Sequence, residues 1–276
     1  MPKRFEYYYL PKEYHRVHDY CEFVITQIEE FILKKTFNHL RTQTLVIGEA
    51  NSKELENYKG HIFNFLESKG LTNELNLVVA NNLLNSLIME SCYFLQEAFL
   101  CTRKMRLSVA FTLFRKPFSE ILIIYIRLLM DKDFLSKFNT DDKFNPIAIP
   151  GQKKKEYLQT LNSLLFNLYD VDDLYHYLFD KSHSENLYNI SNHAIHLYTD
   201  KNPAIKTGKQ NLNFIFSQKD DLGSQWNYIY SVIPMLLTFL ADVMELCVML
   251  YTDVPDSVFK KRFEERYKMK TYYKVH

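Results

Sequence analysis

The sequence predicts an all-α protein built as a bundle of long helices. Only 6 glycines and 8 prolines occur among 276 residues, and so few turn-forming residues disfavour a many-stranded barrel or sandwich. Apolar residues also recur at three- and four-residue steps over long stretches, which is the spacing of a buried helical stripe. We expect one domain over residues 1–276, with the loop at 139–151 as a weak candidate boundary.

The elements follow in chain order from this spacing and from helix start and stop residues. We predict helices from residue 12 into the forties and at 52–70, 73–100, 103–130, 153–169, 170–180, 184–198 and 224–252, with a last one starting near Asp256. Pro117 lies inside the helix at 103–130, where a proline removes a hydrogen bond and kinks the helix. Residues 200–223 break the pattern, so a short non-helical insertion is expected there, with 212–216 as a strand or an extended lid.

Charge, cysteines and motifs exclude several classes of protein. A net charge of +1 gives no overall attraction to nucleic acid. The four cysteines are scattered without a C-x-x-C pair, so we expect reduced, packed thiols as in a cytoplasmic protein. Neither common nucleotide-binding fingerprint occurs, and we expect no cofactor. The apolar run at 229–250 contains Asp242 and Glu245, each costing about 2.5–3.5 kcal/mol at a membrane centre, which predicts a core helix rather than a membrane span.

Polar residues at 189–196 form a first candidate site. Asn189, His193 and His196 lie at i, i+4 and i+7, so a helix places them on one face, with Asn192 beside them. Imidazole exchanges a proton near neutral pH, and an amide can hold a phosphate. An ordinary solvated polar face gives the same spacing and is the simpler interpretation of these residues alone.

A second candidate set lies on the predicted helix at 103–130. No acidic residue occurs at 98–118, where Arg115 and Lys116 are among five basic residues. Glu120 and Arg127 are seven residues apart and share a helix face. A buried arginine must be paired, so either Glu120 or an acid on another helix should reach Arg127. The site is either a buried ion pair of the bundle or a guanidinium offered to a phosphate.

Basic and aromatic residues interleave at the C-terminal end, where Lys260, Lys261 and Arg262 begin a cationic stretch. Such a pattern can stack bases and neutralise phosphates, or it can be a solvated helix that docks by its aromatic side chains. His15, His18, Asp19 and Glu22 share one polar stripe near the N-terminus. Because no second helix offers a complementary set of ligands, we predict no metal site.

Two stretches resemble the HEPN superfamily of bacterial helical proteins, which are common in toxin and phage-defence systems. They are Ala110-Phe-Thr-Leu-Phe-Arg-Lys-Pro-Phe-Ser-Glu-Ile121, similar to a central helix of that superfamily, and Leu187-Tyr-Asn-Ile-Ser-Asn-His-Ala-Ile-His196, similar to a late histidine-bearing helix. Active members are metal-independent ribonucleases. The resemblance implies an arginine that steadies phosphate and a histidine that moves protons across a cleft, often in a homodimer.

The sequence departs from the hallmark of that superfamily, an arginine followed four to six residues later by a histidine. Arg115 is therefore the first candidate to supply the guanidinium from another helix. One prediction is an RNA-directed effector, a ribonuclease acting against phage, in which Arg115, Asn192, His193 and His196 converge in one cleft. The alternative is a non-catalytic helical protein that senses or scaffolds a protein partner. Either would be cytoplasmic and a homo-oligomer, with no membrane.

Overall fold

A computed structural model describes residues 7–42, 44–199, 203, 206–209, 212–214 and 219–275. These residues contain helices and no strand, which confirms the predicted all-α class. The α-helices are α1 (His15–Leu33), α2 (Glu49–Glu56), α3 (Ile62–Ser68), α4 (Thr72–Arg103), α5 (Leu107–Lys116), α6 (Leu122–Met130), α7 (Phe134–Thr140), α8 (Gly151–Leu164), α9 (Val171–Leu178), α10 (Leu187–Ile195), α11 (Lys219–Tyr251) and α12 (Asp256–Tyr273).

Helix α11 is central to the bundle and packs against α1, α4, α6 and α12. Its segment Asp220–Tyr251 is long and apolar enough to cross a bilayer by length and composition alone, and 83% of its most apolar stretch is buried inside the protein. The prediction of a core helix here is confirmed, because Ile233, Leu237 and Met244 have no exposed surface.

The predicted helix at 103–130 is divided into three parts. Helix α4 continues to Arg103, and a positive φ of 58° at Met105 separates it from α5. A π-helical turn at Pro117–Ile121 then joins α5 to α6. A proline has no N–H to donate and its ring crowds the preceding turn, so a locally widened helix accommodates it. The irregularity lies where Pro117 predicts it.

Several predicted helix boundaries were wrong, among them the following three. The first helix ends at Leu33, because Lys34 is extended and only a short 3₁₀ segment follows. The predicted helix at 52–70 is two helices, although Gly70 does end the second one with a φ of 65°. Helix α11 begins at Lys219 rather than at 224, so the insertion is shorter than predicted. Within it, residues 213–214 form a turn, while 215–216 lie outside the described residues.

Most buried side chains belong to one core that draws on α1 and on α4–α12. Phe134 before the loop at 139–151 and Leu158 after it both belong to this core, so packing continues across the candidate boundary. A second, small core of Ile47, Phe65, Leu66 and Val78 lies between α3 and the first turns of α4. The four cysteines are buried and free, as predicted for reduced thiols.

Candidate functional site

A cavity of about 370 Å³ opens beside the π-helical turn, and we call it the Arg115 cavity. Segments distant in the chain form its walls: α5 and the turn after it, α6, the loop before α8, α8 itself and the region from α9 to α10. Its polar side chains are those of Arg115, Ser119, Glu120, Lys154, Lys181 and Tyr188. The cavity therefore holds three cationic groups and one carboxylate.

Aromatic rings, rather than carboxylates, hold these cations. The guanidinium carbon of Arg115 lies 4.8 Å from the centre of the Tyr188 ring, and Lys181 Nζ lies 3.8 Å from the same centre. Lys154 Nζ lies 5.4 Å from the Phe179 ring. Among the described residues, none of the three cations forms an ion pair. Burial, and then repulsion by Lys181, lower the pKa of Lys154, as expected where positive charge accumulates.

Tyr188 is a second group of the cavity whose pKa is lowered. A hydrogen bond from the Asn192 side chain, with the nearby charges of Lys181 and Arg115, lowers the pKa of its phenol. Arg115 Nη1 donates to the Oδ1 atom of the same Asn192 at 3.1 Å. These contacts favour negative charge at the phenol oxygen, so they also favour a bound oxyanion.

Buried amides fix the elements that carry Lys181 and Tyr188. Asn186 accepts from the Tyr188 N–H at the start of α10 and donates to the carbonyls of His176 and Tyr177. Asn189, which the sequence placed on a polar face with the histidines, is buried and donates to the Lys181 and His183 carbonyls. The role of Asn189 is therefore to hold the loop between α9 and α10.

Asn192 meets Arg115, as predicted, but the two histidines do not line the Arg115 cavity. His193 lines a different cavity, of about 310 Å³, with Asn213, Asp221 and other residues. His196 follows the end of α10 and is exposed. Consecutive residues of a helix are rotated by about 100°, so Asn192 contacts Arg115 of α5 while His193 points in a different direction, into the other cavity. Helical spacing does not extend to His196, because α10 ends at Ile195.

Arg127 is buried and forms an ion pair. The prediction that its partner is Glu120 or an acid on another helix was wrong. Its Nε lies 2.7 Å from Asp131 Oδ2, one turn further along the chain. Its Nη1 donates to the Asn145 carbonyl at 2.5 Å, and its guanidinium packs on Phe134 and Phe144. Glu120 instead lines the Arg115 cavity. Arg127 therefore fixes the loop before α8 and is not offered to a ligand.

Lys116 pairs with Glu90 of α4 and lies 4.7 Å from the Phe94 ring. It is absent from the residues that line the Arg115 cavity. The basic residue next to Arg115 in the sequence thus supports the packing of α5 on α4. A binding role for Lys116 inside the cavity has no geometric support, because its ammonium faces a different helix.

The basic C-terminal stretch is divided between the surface and the core. Lys260 and Lys261 are exposed. Arg262, predicted as a binding residue, is buried and pairs with Glu245 at 2.8 Å and with Glu30 at 2.6 Å. It is unavailable to nucleic acid for that reason.

Arg266 belongs to the same basic stretch and is also in the core: it has no exposed surface and contacts both Asp242 and Glu245 at 2.7 Å. Asp242 and Glu245 inside the apolar run at 229–250 were a signal in the sequence, because buried carboxylates require cationic partners. Arg262 and Arg266, one turn apart on α12, are those cations.

A largely apolar cleft of about 580 Å³ lies between the end of α8 and helices α11 and α12. Leu246, Met249 and Phe263 are among its walls. Phe166 on its rim is 77% exposed. Exposed aromatic rings beside an apolar cleft occur at protein interaction surfaces, so this cleft is where the alternative prediction of a partner-binding protein has a physical basis.

No protein-family model matches the sequence, and neither a curated protein nor a solved structure matches the chain.

Proposed function

We propose that this protein is a cytoplasmic, HEPN-like, RNA-directed effector that binds a phosphate group of RNA in the Arg115 cavity. One observation carries the proposal: Arg115, Lys154 and Lys181 line the same cavity without an ion-pair partner among the described residues. Cations in a concave site attract anions more strongly than the same cations spread over an open surface.

The identity of the cations favours phosphate over other anions. The planar guanidinium of Arg115 can donate two parallel hydrogen bonds to phosphate oxygens, while Lys154 and Lys181 supply point charges. The Tyr188 ring adds an aromatic surface next to these donors, and aromatic rings stack on the bases of single-stranded RNA. A phosphodiester with an adjacent base therefore matches the chemistry of the cavity.

The exposed C-terminal residues are weaker candidates for RNA contact. Arg262 is used in the core, and Lys261 Nζ lies 4.0 Å from Glu265 Oε1 on the same helix face. Lys260 and Lys261 thus form a surface of mixed charge. We place the main phosphate contact in the Arg115 cavity and not on α12.

RNA cleavage needs proton-exchanging groups beside the phosphate. Glu120 and Tyr188 line the Arg115 cavity together with Arg115, whereas His193 and His196 do not. Attack by a ribose 2′-hydroxyl requires a base, and departure of the 5′-oxygen requires an acid. We assign these proton transfers to Glu120 and Tyr188, with Arg115 stabilising the charge that develops on the phosphate.

Binding of a labelled single-stranded RNA to two charge-matched variants tests the site. Arg115→Gln/Lys181→Gln removes two cations from the cavity, and Lys260→Gln/Lys261→Gln removes two from α12. The cavity variant should bind about tenfold or more weakly, because each charge-assisted hydrogen bond contributes about 1.5–3 kcal/mol. The slope of log affinity against log salt should become shallower by about 0.7, because one phosphate contact is lost. Equal loss in both variants would refute a cavity-specific contact.

Cleavage is tested separately, with EDTA present. The expectation is that the wild type cuts RNA, that Arg115→Ala, Glu120→Gln and Tyr188→Phe do not, and that His193→Ala and His196→Ala still do. Loss of cleavage in a correctly folded His193→Ala or His196→Ala protein would assign the proton transfers to that histidine. RNA binding by the wild type without any cleavage would leave an RNA-binding protein and exclude the ribonuclease.

A further inference from the structure

Two histidines and a glutamate meet outside the Arg115 cavity, where α9 turns into α10. His176 lies in the last turn of α9, while His183 and Glu185 lie in the connection that follows. The two imidazole ring centres are 3.4 Å apart, with their planes at 57°. One ligand atom from each residue lies within 4.8 Å of the other two.

We propose that His176, His183 and Glu185 form a binding site for Zn²⁺, with water completing the coordination. Two imidazoles and one carboxylate are a donor set that zinc accepts, with an open fourth position. Ligand atoms of a tetrahedral zinc site lie about 3.3 Å apart, given bonds of about 2.0–2.1 Å. The three side chains therefore need only small rotations to close around the ion.

The surrounding hydrogen bonds hold the backbone of two ligands, and they engage one imidazole nitrogen of His183. Asn186 donates to the His176 carbonyl at 3.0 Å, and Asn189 donates to the His183 carbonyl at 2.7 Å. His183 Nδ1 accepts a long bond, 3.2 Å, from the Glu185 N–H. Zinc binding to either nitrogen of His183 breaks this bond. Zinc on Nδ1 occupies the lone pair that accepts it, and zinc on Nε2 leaves the ring proton on Nδ1, which then cannot accept.

The position of the site gives the ion a role. Lys181 lies in the same connection, two residues before His183, and its ammonium reaches the Tyr188 ring in the Arg115 cavity. A metal that joins the end of α9 to this connection limits the motion of the segment that presents Lys181. Zinc binding itself does not depend on whether the protein binds RNA.

Isothermal titration of EDTA-stripped, full-length protein with Zn²⁺ tests the proposal. We expect one equivalent to bind and the melting temperature to rise with zinc concentration. His176→Ala and His183→Asn should each lose this equivalent and the thermal shift. Asn at position 183 keeps an oxygen that accepts the Glu185 N–H, so the connection stays folded. His39→Ala, which removes an exposed histidine elsewhere, should bind zinc as the wild type does.

No zinc uptake by the wild type, or uptake that persists in a folded His183→Asn protein, would overturn the site. Co²⁺ in place of zinc supplies an independent readout, since its visible absorption reports nitrogen ligation and coordination number. We expect an intense tetrahedral spectrum in the wild type and none in His176→Ala. These results are distinguishable from failure of the RNA proposal, because no RNA is present in either experiment.

Discussion

At the scale of single residues, Tyr188 senses the charge of the Arg115 cavity. Lys181 and Arg115 both lie over its ring, and its hydroxyl is bonded to Asn192. The bond and the two cations stabilise the phenolate, which is why the pKa of Tyr188 lies below its usual value. An anion bound next to it must act in the opposite direction, because like charges disfavour each other.

The phenolate titration of Tyr188 should therefore respond to ligand. We take the difference between the ultraviolet pH titrations of the wild type and Tyr188→Phe, which isolates one of 20 tyrosines. Inorganic phosphate should move this difference curve to higher pH, and sodium chloride at equal ionic strength should not. Arg115→Gln should also raise the transition, since one stabilising cation is lost. A difference curve that does not shift when phosphate is added would show that phosphate does not bind beside Tyr188.

Arg127 is a residue whose charge serves the fold. Replacing it by methionine leaves Asp131, only partly exposed, with the hydroxyl of Tyr157 as its remaining side-chain partner. Breaking a buried ion pair on one side costs about 3–5 kcal/mol, so Arg127→Met should lower the urea midpoint strongly. Lys132→Met removes an exposed cation nearby and should change stability by no more than about 0.5 kcal/mol. Equal midpoints for the two variants would contradict the structural role of Arg127.

At the scale of elements, α12 docks on the bundle through charge as well as through apolar contacts. Arg262 and Arg266 enter the core and meet Asp242 and Glu245 of α11. Tyr169 and Tyr267 both donate to Asp242 Oδ2. Burial raises the pKa of Asp242, and Arg266 opposes that shift. The folded protein thus holds a proton on Asp242 more tightly than the unfolded chain does.

The sign of this shift predicts how loss of Arg266 depends on pH. Arg266→Met leaves two buried carboxylates without their main cation and should cost about 3–5 kcal/mol near neutral pH. Without Arg266 the pKa of Asp242 rises further, so protonation as the pH falls removes the buried charge and recovers part of the stability. Chemical unfolding at several pH values measures this. Lys268→Met, an exposed change on the same helix, should show no such recovery.

Helices could be predicted where their own sequence determines them. Both limits of α4 were predicted to within three residues and the end of α11 to within one, because long apolar periods define a buried face locally. The burial of Arg262 and Arg266 could not be predicted, because the sequence of a basic helix is the same whether its arginines face water or carboxylates on α11. Local spacing also did not reveal the 3₁₀ segment after Lys34, which depends on packing between distant elements.

At the scale of the whole molecule, the Arg115 cavity is a product of tertiary structure. Arg115 and Asn192 could be identified from the sequence, since each lies in a stretch with a recognisable pattern. Lys154, Lys181 and Tyr188 were missed. Lys154 and Lys181 come from two further segments that meet Arg115 only in the folded chain, and Tyr188, although it lies on the same helix as Asn192, has no sequence pattern that marks it as a cavity residue. His193 directly follows Asn192 in the sequence, but in the folded chain it lines a different cavity.

The two cores of the molecule predict two levels of stability. The main core joins elements from both ends of the chain, whereas the small core holds α3 against the start of α4. Segments with few buried apolar contacts open at lower free energy than the core of a domain. The region from α2 to the first turns of α4 should therefore open on its own, without unfolding α11.

Hydrogen exchange on two matched phenylalanine variants tests this division. Phe65 and Phe239 are both buried, with 2% and 0% exposure, one in each core. Phe65→Ala should speed exchange only within residues 45–78, because the cavity it creates lies in the unit that already opens first. Phe239→Ala should lower protection throughout the main core, by about 3–5 kcal/mol for the slowest amides. Faster exchange in α11 of the Phe65→Ala protein would show instead that both cores unfold as one cooperative unit.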